Sequence, residues 1–335
     1  FRAWPGNRLF LPYIESIRQP PGPTLSDPAG PCVNTSSNPT TGSLSSLHVA
    51  VLGIGMMGFP MARRLCEAGC QVSVWNRSRS KAERLQPLGA TVADTPAQAV
   101  ASADVVITLL EHGGVVEDVL FQQGTTDGLR AGAVVVDMSS IQPRQARDHA
   151  ARLAALGVHH LDAPVSGGTV GAEEGTLAIM AGGKPADFER VRPLFEILGK
   201  PVHVGPHGAG QLAKLANQMI VGITIGAVAE ALLLCEKGGA DMARVKEAIT
   251  GGFADSRILQ VHGQRMIERD FTKRGAVAVQ LKDMRNALTT ASEIGFEAPI
   301  TQLFEQLFAQ AADHGLADLD HSALFVELAS RNGMT

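Results

Sequence analysis

From residue 47 onward, short apolar runs alternate with amphipathic stretches. HVAVLGIG ends in glycines and predicts a strand entering a tight turn. PMARRLCEAG follows with helical spacing of its apolar residues and a stop at Gly69. QVSVWN predicts a second strand, SKAERLQPLG a helical segment with its own stop, and ADVVITLL a fully buried strand. AVVVDMSS, HHLDAPVSG, TLAIMAGG and PVHVG add four strand candidates, and helical patterns in PRQARDHAARLAALG and PADFERVRPLFEILG alternate with them. Continuous apolar strands interleaved with helices predict a largely parallel sheet covered on both faces. No repeat of solenoid period is present.

After Gly210 the texture changes. QLAKLANQMIVGITIGAVAEALLLCEKGG reads as one helix, ~40 Å long at ~1.5 Å per residue. Further helices are predicted over 240–250, 256–269, 277–294 and 299–314. Residues 219–235 are the most membrane-like stretch, but they are short for a span and contain Glu230. A buried helix is the better reading, with Gly222 and Gly226 allowing neighbouring helices close approach. Residues 1–46 differ in kind: they hold eight of the 18 prolines, many Ser and Thr, and no periodicity. They predict a leader or tail outside the folded unit, and Arg2, Arg8 and Arg18 only weakly resemble a transit peptide.

Composition narrows the function. A net charge of −4 argues against a nucleic-acid or anionic-membrane surface. Cys32, Cys66, Cys70 and Cys235 have neither a disulfide framework nor Cys-x-x-Cys spacing, which fits a reduced, cytoplasmic setting.

The chemistry starts at Gly53-Ile54-Gly55-Met56-Met57-Gly58, a G-x-G-x-x-G between a predicted strand and helix. Gly53 permits the turn, Gly55 lets the backbone approach a pyrophosphate, and Gly58 lets helix pack on strand. Helix amides then face the phosphates. Alone the motif is weak; in this strand–helix–strand setting it predicts a Rossmann-type dinucleotide-binding domain over 47–207. The all-α remainder, 208–335, joins it through the long helix. Leu109 and Leu110, ending the ADVVITLL strand, are expected to line the cofactor. At the end of the second strand an NAD site calls for an acidic residue. This chain has Asn76-Arg77-Ser78, a guanidinium among polar groups that suits a 2′-phosphate, so NADP(H) is expected over NAD(H). AGGKP is not a phosphate loop, since Pro185 and Ala178 stand where Ser/Thr and Gly are needed. APVSGG is not a nucleophile elbow, since Pro164 replaces its first glycine. No His or Cys spacing of metal type appears, and no metal is expected.

Lys214, near the start of the long helix, has Asn217 and Gln218 three and four residues on, so all three share one helix face. An ammonium beside amides suits a carbonyl that gains hydride at carbon and a proton at oxygen. A helix-surface lysine is the commoner case; an otherwise apolar helix is what favours the catalytic reading.

GIGMMGFPMA, DMSS followed by Pro143, DAPVSGG, GAGQLAKLANQ and LKD together resemble the β-hydroxyacid dehydrogenases in order and spacing, over 47–331. DAPVSGG with GTLAIMAGG, KLANQMIVG and DHSAL is most similar to the branch that reduces tartronate semialdehyde (2-hydroxy-3-oxopropionate). The resemblance implies that Ser166, Gly167 and Gly168 hold a substrate carboxylate, that Lys214 donates the proton, and that Asn217 and Gln218 face the substrate. It places Ser140 by the nicotinamide ribose and has Lys282 and Asp283 close over the cofactor. It also implies a homodimer or homotetramer formed through the helical domain. Alternatives are a 3-hydroxyisobutyrate dehydrogenase, a succinic or glyoxylate semialdehyde reductase, and a non-catalytic NADP-binding scaffold. The last should lack the lysine and carry a basic segment.

Overall fold

The computed structural model describes residues 46–334; all but Ser46 of the expected leader, Cys32 included, lies outside them. Nine strands form one sheet: β1 His48–Leu52, β2 Gln71–Trp75, β3 Thr91–Val92, β4 Val105–Thr108, β5 Val134–Asp137, β6 His159–Asp162, β7 Val165–Ser166, β8 Leu177–Gly183 and β9 Gly199–Gly205. The order is β3-β2-β1-β4-β5-β6-β8-β7, with β9 on β8. Strands β1 to β6 pair in parallel, β8 runs antiparallel to β6 and β7, and β9 is parallel to β8.

The apolar runs face two cores at once, because successive strand residues point to opposite sides. Val49, Val51, Val105, Ile107, Val134 and Val136 enter one core, while Ala50, Leu52, Val106 and Val135 enter the other. On the first side α1 (Gly58–Glu67) contributes Met61 and Leu65. On the second, α2 (Pro143–Ala155) contributes Ala146 and Leu153. The predicted strand HHLDAPVSG breaks in two, and α3 (Gly168–Glu174) begins directly after its last residue, Gly167. Pro164 lacks the amide that would continue the ladder. Helix α4 (Pro185–Leu198) then buries Phe188, Leu194 and Phe195 in the first core.

Helix α5 (Ala209–Lys237) is the predicted long helix. Its Ile225, Ala229 and Leu232 meet Met284 of α6 (Val277–Glu293), Phe308 of α7 (Pro299–Ala311) and Phe325 of α8 (Leu324–Arg331) in a separate helical core. By length and composition alone α5 could cross a membrane. Gly222 and Gly226 sit where the helices touch: an added Cβ would collide with Met284 at the first and with the Phe304 ring at the second. Helix α8 was not foreseen, nor was the two-residue β3. Cys66, Cys70 and Cys235 are free.

Candidate active site between the sheet and the long helix

β1 is flanked by β2 and β4, so the strand order reverses there and opens a crevice at the carboxyl ends of β1 and β4. The loops at this crevice are the predicted ones. Gly53 has φ +107°, and a Cβ on it would strike the Leu109 carbonyl; one on Gly58 would strike the carbonyl of Gly53. Gly55 faces open space. Ile54 is buried, whereas Met56 is exposed and Met57 half-buried. A cavity of about 570 Å³ lies over this turn, lined by Gly53, Gly55, Arg77, Ser78, Leu109 and Leu110. The turn therefore has the shape a dinucleotide needs: backbone where bulk would clash, and free volume above.

Asn76 has a second task. Its carboxamide oxygen accepts from Ile54 N at 2.9 Å and its Nδ2 donates to the Ser78 carbonyl at 3.0 Å, bracing the glycine turn against the end of β2. Arg77 and Ser78 are exposed beside it. Lys81, which the sequence reading did not single out, joins them in the cavity wall, as do Glu111 and His112. One turn beyond Ser78 on a short helix, Lys81 could have been found from that spacing.

Behind the crevice, Leu110 N donates to Ser139 Oγ at 2.9 Å, and Ser139 N donates to Asp137 Oδ1 at 3.0 Å. The loop after β5 is also held by Gln211 in the first turn of α5. Its Nε2 donates to the Ser139 carbonyl at 2.8 Å and its Oε1 accepts from Ile141 N at 3.0 Å. These bonds present Ser140 toward α6, where its Oγ lies 3.4 Å from Asp283 Oδ1.

Asp283, almost fully buried, gathers the rest. Its Oδ2 accepts from Gln218 Nε2 at 2.7 Å, and Lys282 Nζ lies 3.3 Å from Oδ1. Gln218 thus spends its amide on Asp283, and its Oε1 accepts from Asn217 Nδ2 at 2.8 Å. Lys214, partly buried on the same helix, donates to the Val165 carbonyl at 2.8 Å, the residue before Ser166. Burial lowers its pKa below the ordinary lysine value; Asp283 opposes this and Lys282 adds to it. Gly167 (φ +141°) and Gly168 (φ +64°) are exposed next to Ser166. The structure therefore joins Ser140, Asn217, Gln218 and Asp283 by hydrogen bonds, with Lys282 paired to Asp283, while Lys214 on the same helix is bonded to the Val165 carbonyl next to Ser166.

Comparison with known proteins places this arrangement. Residues 48–207 match the family described as the NAD binding domain of 6-phosphogluconate dehydrogenase. Residues 208–328 match the NAD-binding domain of NADP-dependent 3-hydroxyisobutyrate dehydrogenase. The 2-hydroxy-3-oxopropionate reductase of Escherichia coli is 45% identical over 280 residues, 83% of this chain and 96% of that protein. The chain belongs to the β-hydroxyacid dehydrogenase family.

As a β-hydroxyacid dehydrogenase it is an oxidoreductase acting on CH–OH groups, with nicotinamide-dinucleotide-binding domains. The family fold extends to the 3-hydroxyisobutyrate dehydrogenase of Mycobacterium tuberculosis, solved with L-serine. That structure has a TM-score of 0.77 at 34% identity, covering 84% of this chain and 99% of the other. A structure of Psf3 with NADP+ and 2-OPP has a TM-score of 0.77 at 26% identity, covering 84% and 99%.

Proposed function

We propose that this β-hydroxyacid dehydrogenase reduces tartronate semialdehyde to glycerate with NADPH, Lys214 supplying the proton. The observation that carries the reading is the desolvated Lys214 ammonium, fixed on the Val165 carbonyl beside Ser166. The 45% identity to a 2-hydroxy-3-oxopropionate reductase supports the substrate.

When bound, the reduced nicotinamide supplies a hydride. The glycine turn at 53–58 would hold the pyrophosphate, Arg77 with Lys81 the 2′-phosphate, and Leu109, Leu110 and Ser140 the nicotinamide half. Ser166 and the Gly167 and Gly168 amides take the substrate carboxylate. As negative charge grows on the carbonyl oxygen, Lys214 donates a proton to it and is left as the neutral amine; a depressed pKa eases that transfer. Asn217 steadies the same oxygen. Gln218 acts one step back, holding Asp283, which in turn anchors Ser140 and Lys282. In the oxidative direction Lys214 takes the proton from the alcohol.

The test is kcat/KM for a semialdehyde panel with NADPH and NADH. Tartronate semialdehyde should exceed methylmalonate semialdehyde by at least about tenfold, because a site that hydrogen-bonds a hydroxyl rejects its methyl analogue. The reverse preference would place the chain on the hydroxyisobutyrate branch. Turnover of neither, despite tight NADPH binding, would favour a scaffold.

We also infer a homo-oligomer through the helical half, since Ile220, Ile300 and Leu303 expose large apolar surfaces there. A monomer by sedimentation at micromolar concentration would rule this out.

A further inference from the structure

A second group of side chains lies apart from this chemistry, where β6 meets the start of α5. His160 on β6 is 2% exposed, and neither ring nitrogen has a hydrogen-bond partner among the described residues. Asp162, two residues on, is fully buried. His207, in the loop before α5, is half-buried, with a buried Nδ1 that also lacks a partner. One donor atom from each of the three lies within 4.8 Å of the others. We propose that His160, Asp162 and His207 form a binding site for a divalent transition ion of the zinc type.

Buried imidazole nitrogens are ordinarily satisfied, so an orphaned His160 ring with one nitrogen within 4.8 Å of a carboxylate oxygen and a second imidazole points to a missing partner. A buried imidazole with no hydrogen-bond partner among the described residues can offer a ring lone pair to an ion. Asp162 Oδ1 accepts from Gly208 N at 2.8 Å and Oδ2 from Gln211 N at 2.9 Å. Each oxygen keeps one lone pair. Those bonds also orient the carboxylate, as outer hydrogen bonds do for ligating groups.

Room is provided by two glycines of β8. A Cβ on Gly182 would press on Asp162 Oδ1 at 2.7 Å, and one on Gly183 would lie 3.2 Å from the His207 ring. Two imidazoles and one carboxylate suit a borderline ion rather than Mg²⁺ or Ca²⁺, and leave a fourth position for water. The charge of the ion is met by Asp162, with Asp137 near it and Asp187 near His207; Lys184 is the opposing cation. Drawing the donors to bonds of ~2.0–2.1 Å requires a closure of at most about 1.5 Å. His207, on a loop and half-buried, is the side chain able to move.

A second group, His262, Asp320 and His321, has the same composition. There Arg265 Nη1 sits 3.1–3.2 Å from both Asp320 oxygens, so a cation already holds the carboxylate. Among the described residues no cation is paired with Asp162. The ion would fasten the sheet to the long helix without touching Lys214, so its effect is on stability and not on the reaction.

The experiment uses the full chain freed of metal by chelator and dialysis, titrated with Zn²⁺ against a chromophoric competitor and followed by thermal unfolding. Wild type should take one equivalent that His207→Val does not take. Tm should rise by several degrees with Zn²⁺, not with Mg²⁺, and only in wild type. Co²⁺ should give the intense visible bands of a four-coordinate site, and semialdehyde turnover should be the same in both proteins. His160→Phe should abolish the same equivalent; if it does not fold, the Co²⁺ bands and His207→Val decide. Equal Zn²⁺ stoichiometry and affinity in wild type and His207→Val, no binding, or a weak six-coordinate Co²⁺ spectrum would each overturn the proposal.

Discussion

The Lys214 ammonium donates to the Val165 carbonyl over 2.8 Å, tying the long helix to the strand that carries Ser166. Lys214→Ala removes that bond and the proposed proton donor together. kcat for semialdehyde reduction should fall by about 10²–10⁴-fold, the range typical of general acids. NADPH affinity, measured by fluorescence titration, should stay within a few-fold of wild type, since the sheet half holds most of the cofactor. A variant with near-normal kcat would remove Lys214 from the chemistry.

The depressed Lys214 pKa sets the direction of a pH effect. Reduction needs the protonated amine and should decline as pH rises through a value below 10.5; oxidation needs the neutral amine and should rise over the same interval. Lys214→Arg, which stays charged, should lose the alkaline limb of reduction in steady-state profiles. An unchanged limb in that variant would assign the titration to another group.

At the other end of the site, Arg77→Asp places a carboxylate where a 2′-phosphate is expected. The ratio of kcat/KM for NADPH over NADH should fall at least about tenfold, because an attractive contact becomes a repulsive one. Lys81→Ala should lower the same ratio more modestly. A constant ratio in both would mean that the 2′-phosphate is read elsewhere.

Gly226→Ile drives a side chain into the Phe304 ring at the contact of α5 with α7. Overpacking of this kind should cost about 1–3 kcal/mol in urea unfolding, with loss spread over the helical half. Gly55→Ala, facing open space, should leave stability within about 0.5 kcal/mol while weakening cofactor binding.

The parts legible in the sequence were those with local cause. The turn at 53–58 shows itself because only glycine tolerates the clashes at Gly53 and Gly58, and α5 because its apolar spacing runs unbroken. β3 is two residues long and held by pairing with β2, which no periodicity records. Asp283 was expected over the cofactor, but its bond with Gln218 spans 65 residues, a separation that no local pattern records. His160 and His207 lie 47 positions apart, so only the folded chain reveals that they meet. HHLDAPVSG reads as one strand because its apolar positions hide the break at Pro164 and the end that positive φ at Gly167 imposes.

Gln211 has a mechanical consequence. Its amide grips Ser139 and Ile141 from both sides, as a neighbouring strand would, so the loop carrying Ser140 is geared to the first turn of the helix that carries Lys214. Any swing of that helix takes the serine with it. The spacing between Lys214, the proposed proton donor, and Ser140 is then set by one side chain, and any play needed to admit a cofactor would come from the Asp283 side of the cleft.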